Sequence, residues 1–355
     1  MIESLLEPLV PEKFRTDERY RIGHIRIINA LPGRRILGVH TPEMRALAKE
    51  LARRDDALDI IAGFEDAAAL EQRHGRGCEG GLCYEETVVW GMMINAMKFP
   101  GPSVHGKAAD RWLPAGCGYN GQEGNIVPGL DLRLEMTRRH VSAMDNWAVC
   151  DMFDSGAKWF GRLVSRSLAR DFTDMDSPSP ACRVSGRGAV PGGGKASCPV
   201  GPVAERLWKF LCGYFASDRE FEVRFATVMS MSHFMNERYL PRIFYRFDSL
   251  DFSRIRSEYI SPAQARAMGN SSGQNVKDDR QACGETDRVS GTGIALGEPP
   301  YYVRMGVAWC LATALAKFPD ETRAYLRHSR LPEDVIRLYV RKARESFRTR
   351  DISPF

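Results

Sequence analysis

Apolar residues recur at three- and four-residue steps through seven segments of this chain, and no pair of segments alternates convincingly with a period of two. The segments are 42–53, 84–98, 145–167, 203–215, 221–235, 301–318 and 332–347. In the first, Met44, Leu47, Ala48 and Leu51 follow a Thr41-Pro42 start, and proline is favoured at the first helical position. The chain therefore reads as all-α. Four Gly-rich stretches interrupt it, at 72–82, 101–129, 171–201 and 264–300. The third holds Ser177-Pro178-Ser179-Pro180 and Pro191-Gly192-Gly193-Gly194. Such stretches lack the apolar surface to offset their ordering entropy, so flexible insertions at the turns of one helical array, residues 1–355, are expected. Helix pairs stacked in one orientation make a solenoid with a curved binding face, although no strict repeat is visible in the sequence.

At 355 residues the chain has material for one large core or two ordinary ones, with an ordinary hydrophobic fraction of 43%. No apolar run is long enough to span a bilayer, and the first seven residues carry acids where a secretion signal carries bases. A cytosolic protein is expected. Nine scattered cysteines agree. Cys78 and Cys83 lie close together, but no second Cys/His pair completes a zinc set, so no metal is expected. The net charge of +5 permits an anionic partner without requiring one. Arg337, Arg341, Lys342, Arg344, Arg348 and Arg350 gather on the last helical segment, as a binding surface or simply a solvated face.

Chemistry concentrates in Met144-Asp145-Asn146-Trp147-Ala148-Val149-Cys150-Asp151. On a helix Trp147 and Asp151 share a face one turn apart. An indole face beside a carboxylate suits a cation, above all one whose charge grows as a bond breaks. Arg224 stands alone in an apolar helical run and needs a carboxylate or a phosphate. Trp309 follows Gly306 and Ala308, small residues that allow close approach. Glu85 and Glu86 open a helix, where acids suit the dipole, and read as capping residues rather than catalysts.

These residues, in order, resemble the bacterial AlkD-type DNA alkylation-repair glycosylases. The string from Ile36 through Thr41-Pro42-Glu43-Met44-Arg45 to Glu50 looks like that family's N-terminal signature, with His40 where Arg is common. Tyr84-Glu85-Glu86 with Gly91, Asp145-Asn146-Trp147 through Asp151, Arg224, and Tyr301-Tyr302-Val303 through Trp309 look like its later elements. The resemblance implies a superhelix of HEAT-like repeats. It implies hydrolysis of the N-glycosidic bond of cationic N3- or N7-alkylated purines in duplex DNA, without full base flipping. Asp151 would be the catalytic carboxylate, Trp147 and Trp309 aromatic walls against the deoxyribose, and Arg224 a contact to the DNA backbone. Arg45, Lys49, Lys98, Lys158, Arg162, Arg304 and Lys317 are further candidates for phosphate contacts. A monomer working in the bacterial cytosol or nucleoid, without cofactor or metal, follows from the same likeness. The Gly-rich insertions depart from it.

The chemistry is coherent with the residues taken alone. An N-alkylated purine is already cationic and leaves without a general acid, so the oxocarbenium-like sugar is what the protein must stabilise. A carboxylate does this electrostatically and can orient water. Two other readings remain: a non-catalytic HEAT-like scaffold for DNA or protein, and a protein-binding adaptor anchored by aromatics such as Tyr301 and Tyr302.

Overall fold

The computed structural model describes residues 2–98, 111–112, 129–173, 202–259 and 299–355. Its helices, in chain order, are α1 (Glu3–Leu6), α2 (Glu12–Thr16), α3 (Glu18–Ile28), α4 (Thr41–Leu51), α5 (Ala57–His74), α6 (Tyr84–Ala96), α7 (Leu130–Ala143) and α8 (Trp147–Gly156). They continue as α9 (Lys158–Thr173), α10 (Pro202–Phe215), α11 (Glu220–His233), α12 (Leu240–Asp248), α13 (Tyr301–Lys317), α14 (Pro319–Leu326) and α15 (Glu333–Glu345). Among the described residues the only β-type pairing is an isolated bridge between Arg219 and Arg256. The protein is all-α.

One row of helices carries the site. α4 packs on α6, α6 on α8, α8 on α11, α11 on α13, and α13 on α15. A second row flanks it, with α5 and α7 beside α6, α10 beside α11, and α14 beside α13. Composition explains the places taken. In α6 every residue from Tyr84 to Ile94 is buried, and α11 from Glu220 to Met231 is buried except Glu222. A helix that is apolar on nearly all sides belongs in the middle of an array. α15, at the end of the row, buries only Val335, Tyr339 and Ala343, a four-residue spacing that gives one narrow stripe against α13.

The seven segments expected to be helical are helical, with one correction. The stretch 145–167 is two helices, broken at Ala157 (ψ 39°). Asn95 of α6 explains the break. Its side-chain nitrogen donates to the Phe153 carbonyl at 2.9 Å, and its oxygen accepts the Trp159 indole N–H at 2.7 Å. A side chain from the neighbouring helix thus satisfies a carbonyl in the last turn of α8. Helices α1–α3, α5, α7, α12 and α14 lie outside those seven segments.

The insertions fare unequally. Residues 72–74 finish α5, and the rest of 72–82 is tied down rather than loose. Arg76 pairs with Asp145 at 2.9 Å and Glu258 at 2.7 Å, and Leu82 is buried. Within 101–129, Trp112 is buried with its indole N–H on the Glu65 carboxylate. The remainder of that stretch up to 128, and 174–201 and 264–298, lie outside the described residues.

Candidate active site

Trp147 opens α8, and its surroundings fix both its position and its tilt. Asn146 caps the helix by accepting the Ala148 amide at 2.8 Å. The same Asn146 donates to the Ile28 carbonyl at 2.8 Å, and the Trp147 indole N–H reaches that carbonyl at 2.9 Å. The end of α3 is therefore an anchor for the indole, which packs one side on the core and leaves the other partly exposed. Just ahead, Asp145 is turned away from solvent and clasped by Arg34 and Arg76, each at 2.9 Å. It is a structural acid. Close approach of α8 to α6 depends on Gly91, where a Cβ would lie 2.5 Å from the His140 ring and 3.1 Å from Phe153.

Asp151 stands one turn after Trp147. Its side chain keeps 21% of its surface exposed, and both oxygens accept from a single nitrogen of Arg224, at 2.9 and 3.0 Å. A carboxylate offers about four lone-pair sites, so this grip leaves capacity for a water or a developing cation. Burial pushes the Asp151 carboxyl above its ordinary range, with Asp154 adding to the rise, while Arg224 pulls it back. The net direction is upward.

Arg224 corrects an expectation. It was expected to touch the DNA backbone, yet its side chain is only 4% exposed and faces inward. One terminal nitrogen holds Asp151 and the other donates to the Tyr302 carbonyl at 2.9 Å. Of its two expected partner types, the carboxylate is the one present. Glu220, one turn earlier on α11, accepts the Tyr302 amide at 2.7 Å. The Tyr302 backbone is thus gripped at both its N–H and its carbonyl by residues of α11. This clamp sets the position of α13 relative to α8.

Trp309 rides on that helix. Tyr302, Gly306, Trp309 and Thr313 succeed one another at four-, three- and four-residue steps and so form one stripe. A Cβ on Gly306 would lie 3.6 Å from Thr227 and 3.7 Å from the Arg224 guanidinium, and Thr313 meets the Met231 sulfur at 3.3 Å. Both contacts are to α11, so the Trp309 stripe faces the helix whose Arg224 grips Asp151 of α8. Trp309 is 39% exposed, one of few large apolar side chains so placed. Trp147, Asp151, Arg224 and Trp309 come from three helices packed in sequence, with the Arg224–Asp151 pair at the centre.

The outlying cations divide. Arg45 and Lys49 sit one turn apart on the exposed side of α4, and Lys158 and Arg162 likewise on α9. Arg162 also lies near Arg133, whose guanidinium is pushed down to about 10 by burial and by that neighbour. Arg304 is a second correction. It forms a 2.8 Å ion pair with Asp334 of α15, mostly buried, which makes it a strut between helices rather than a phosphate contact. Glu86 caps its own helix, whereas Glu85 does not: it holds the loop that leads into α4. Glu85 accepts the Leu37 and Gly38 amides at 3.0 and 2.7 Å, and Glu86 those of Ile2 and Cys83, each at 3.1 Å.

Several supporting residues escaped the sequence reading. Tyr302 and Tyr259 converge on Asn29, Tyr302 accepting its side-chain N–H at 2.7 Å and Tyr259 donating to its carbonyl at 2.5 Å. Nothing in local spacing links Asn29 to residues more than two hundred positions away. Glu220 offered a faint signal, being an acid at the start of an otherwise apolar helix. Compared with family models, with curated proteins and with solved structures, the chain matches none.

Proposed function

We infer that the protein is a DNA glycosylase that releases cationic N3- or N7-alkylated purines from duplex DNA. The reading rests on one observation. Asp151, a partly exposed carboxylate with lone pairs to spare, stands beside the Trp147 indole and is held in orientation by a buried guanidinium. A leaving base that is already positive needs no acid. The sugar that remains becomes positive as the bond lengthens, and an anion fixed in a water-poor recess stabilises that charge. Arg224 acts through Asp151 as a positioning residue. Trp147, and Trp309 on the stripe facing α11, add aromatic faces for cation–π attraction to the same sugar, about 0.5–2 kcal/mol each. The order of packing α4–α6–α8–α11–α13–α15 supports a HEAT-like superhelix. Arg45, Lys49, Lys98, Lys158, Arg162 and Lys317, all exposed, are the cations left to meet phosphates.

The test is incubation of the protein with a duplex carrying 7-methylguanine, with free base measured chromatographically. Release at a rate well above the spontaneous one is expected. No release, together with salt-sensitive duplex binding, would transfer the assignment to a non-catalytic scaffold. Absence of both would leave only a protein-binding role.

A further inference from the structure

We propose that α3 is a second DNA-contact element, an arginine–isoleucine surface that grips the duplex beside the site; this rests on the glycosylase reading. Eight large apolar side chains are exposed among the described residues, and three of them, Ile22, Ile25 and Ile27, fall within six positions of α3. Ile27 is 72% exposed. Single exposed apolar residues are ordinary on any surface, but a cluster on one short helix calls for a partner.

The charges on α3 indicate what kind of partner. Arg19 and Arg26 are exposed on the same side as Ile22, and Gly23 between them has nothing within 4 Å of where a Cβ would stand. These residues and Glu18 line a surface hollow of about 420 Å³. The glycine is not there to admit a neighbouring helix; it leaves a notch between two guanidiniums roughly 10 Å apart along the axis, given about 1.5 Å rise per residue. Guanidiniums flanking an open notch complement phosphate oxygens. Aliphatic side chains next to them suit sugar edges and bases, which they can wedge or partly unstack.

An anionic membrane is the competing partner for a basic, apolar helix. Membrane-surface helices separate an apolar face from a charged one. On α3 the two are mixed, because Arg19 and Arg26 project between Ile22 and Ile27 around the axis. The location of α3 also favours DNA. Its final carbonyl, on Ile28, accepts the Trp147 indole N–H, which puts the C-terminal end of α3 beside the indole.

The test uses the full chain and three proteins: wild type, Arg19→Glu/Arg26→Glu, and Arg327→Glu/Arg330→Glu as a charge-matched change on exposed residues at the other end of the array. Binding to an unmodified duplex is measured by fluorescence anisotropy at several salt concentrations, alongside base release from a 7-methylguanine duplex. A tenfold or greater loss of affinity is expected for the α3 variant, with the salt dependence falling by about two phosphate contacts. The control should lose less than twofold. An α3 variant that binds like wild type, or a control that loses as much as the α3 variant, overturns the proposal while leaving the glycosylase reading intact. So does preferential, α3-dependent binding to phosphatidylserine vesicles with duplex affinity unchanged. If wild type neither binds duplex nor releases base, the parent reading falls and this one with it. An Ile27→Ser variant supplies a second reading, with weaker binding and an unchanged salt slope expected.

Discussion

Two sets of buried acids, on α6 and on α8, differ in who holds them and in what is left over. Glu85 and Glu86 are fully buried, and each oxygen receives one backbone amide. Asp151 also accepts two hydrogen bonds, but both come from one guanidinium nitrogen and part of the carboxylate still meets solvent. The first arrangement is closed: neutral donors consume the charge to fix loops against a helix. The second is open: a cation holds the acid in place and its remaining lone pairs face outward. Burial raises the carboxyl of both Glu85 and Asp151, so a shifted acid alone does not mark a site. Which groups oppose that shift, and what remains exposed, make the distinction.

Arg224→Met is the most severe way to break the comparison. It strands Asp151 in a largely buried place and releases the Tyr302 carbonyl, and removing one partner of such a pair costs about 3–5 kcal/mol. Urea denaturation should show that loss, with base release falling beyond what the unfolded fraction explains. Arg224→Lys, which keeps the charge without the fixed planar geometry, should recover stability more than activity. A smaller cost is expected from Glu85→Gln. A side-chain NH₂ would then oppose one of the two amides, at about 1–3 kcal/mol, yet the folded protein should release base at the wild-type rate.

Trp309→Ala tests the open side alone. Loss of one cation–π partner of about 0.5–2 kcal/mol predicts a base-release rate lower by roughly 2- to 30-fold, with little change in denaturation midpoint because the side chain is partly exposed. The pH response should separate the two regions as well. Asp151 must be ionised to act and its carboxyl is raised, so activity should fall as pH drops, with a midpoint above the usual aspartate value near ~3.9. His140, buried between α6 and α7 with its Nε2 on the Thr87 carbonyl, is pushed down to about 4 by burial. The unfolded chain therefore binds a proton first as pH falls. Its contribution is present above about 6.5 and declines by about 1.4 kcal/mol per pH unit until about 4. His140→Gln should flatten that part of the stability profile, as measured by urea denaturation between pH 7 and pH 4.5.

In the sequence α6, α11 and α13 were legible by the density of their apolar residues, and α4 and α15 by the three- and four-residue spacing of theirs. Periodicity was insufficient at Ala157. There the break depends on Asn95, and a side chain from another helix leaves no trace in local spacing. The pairing of Arg224 was legible only as a need for an anion. Choosing the carboxylate over a phosphate required knowing that α8 and α11 pack face to face. Arg304 is similar, since Asp334 is thirty positions away on a helix that only the fold brings near. α3 was invisible for the opposite reason. Ile22, Ile25 and Ile27 are exposed, so the pattern that betrays a buried face is absent.

The comparison between closed and open acids reduces to one kinetic contrast. Single-turnover release of 7-methylguanine should be measured for Asp151→Asn and Glu85→Gln beside wild type, each corrected for its folded fraction. The account predicts a loss of about 10²–10³-fold for Asp151→Asn, the scale of removing one well-placed electrostatic group, and no loss for Glu85→Gln. An Asp151→Asn protein that releases base as fast as wild type would contradict it.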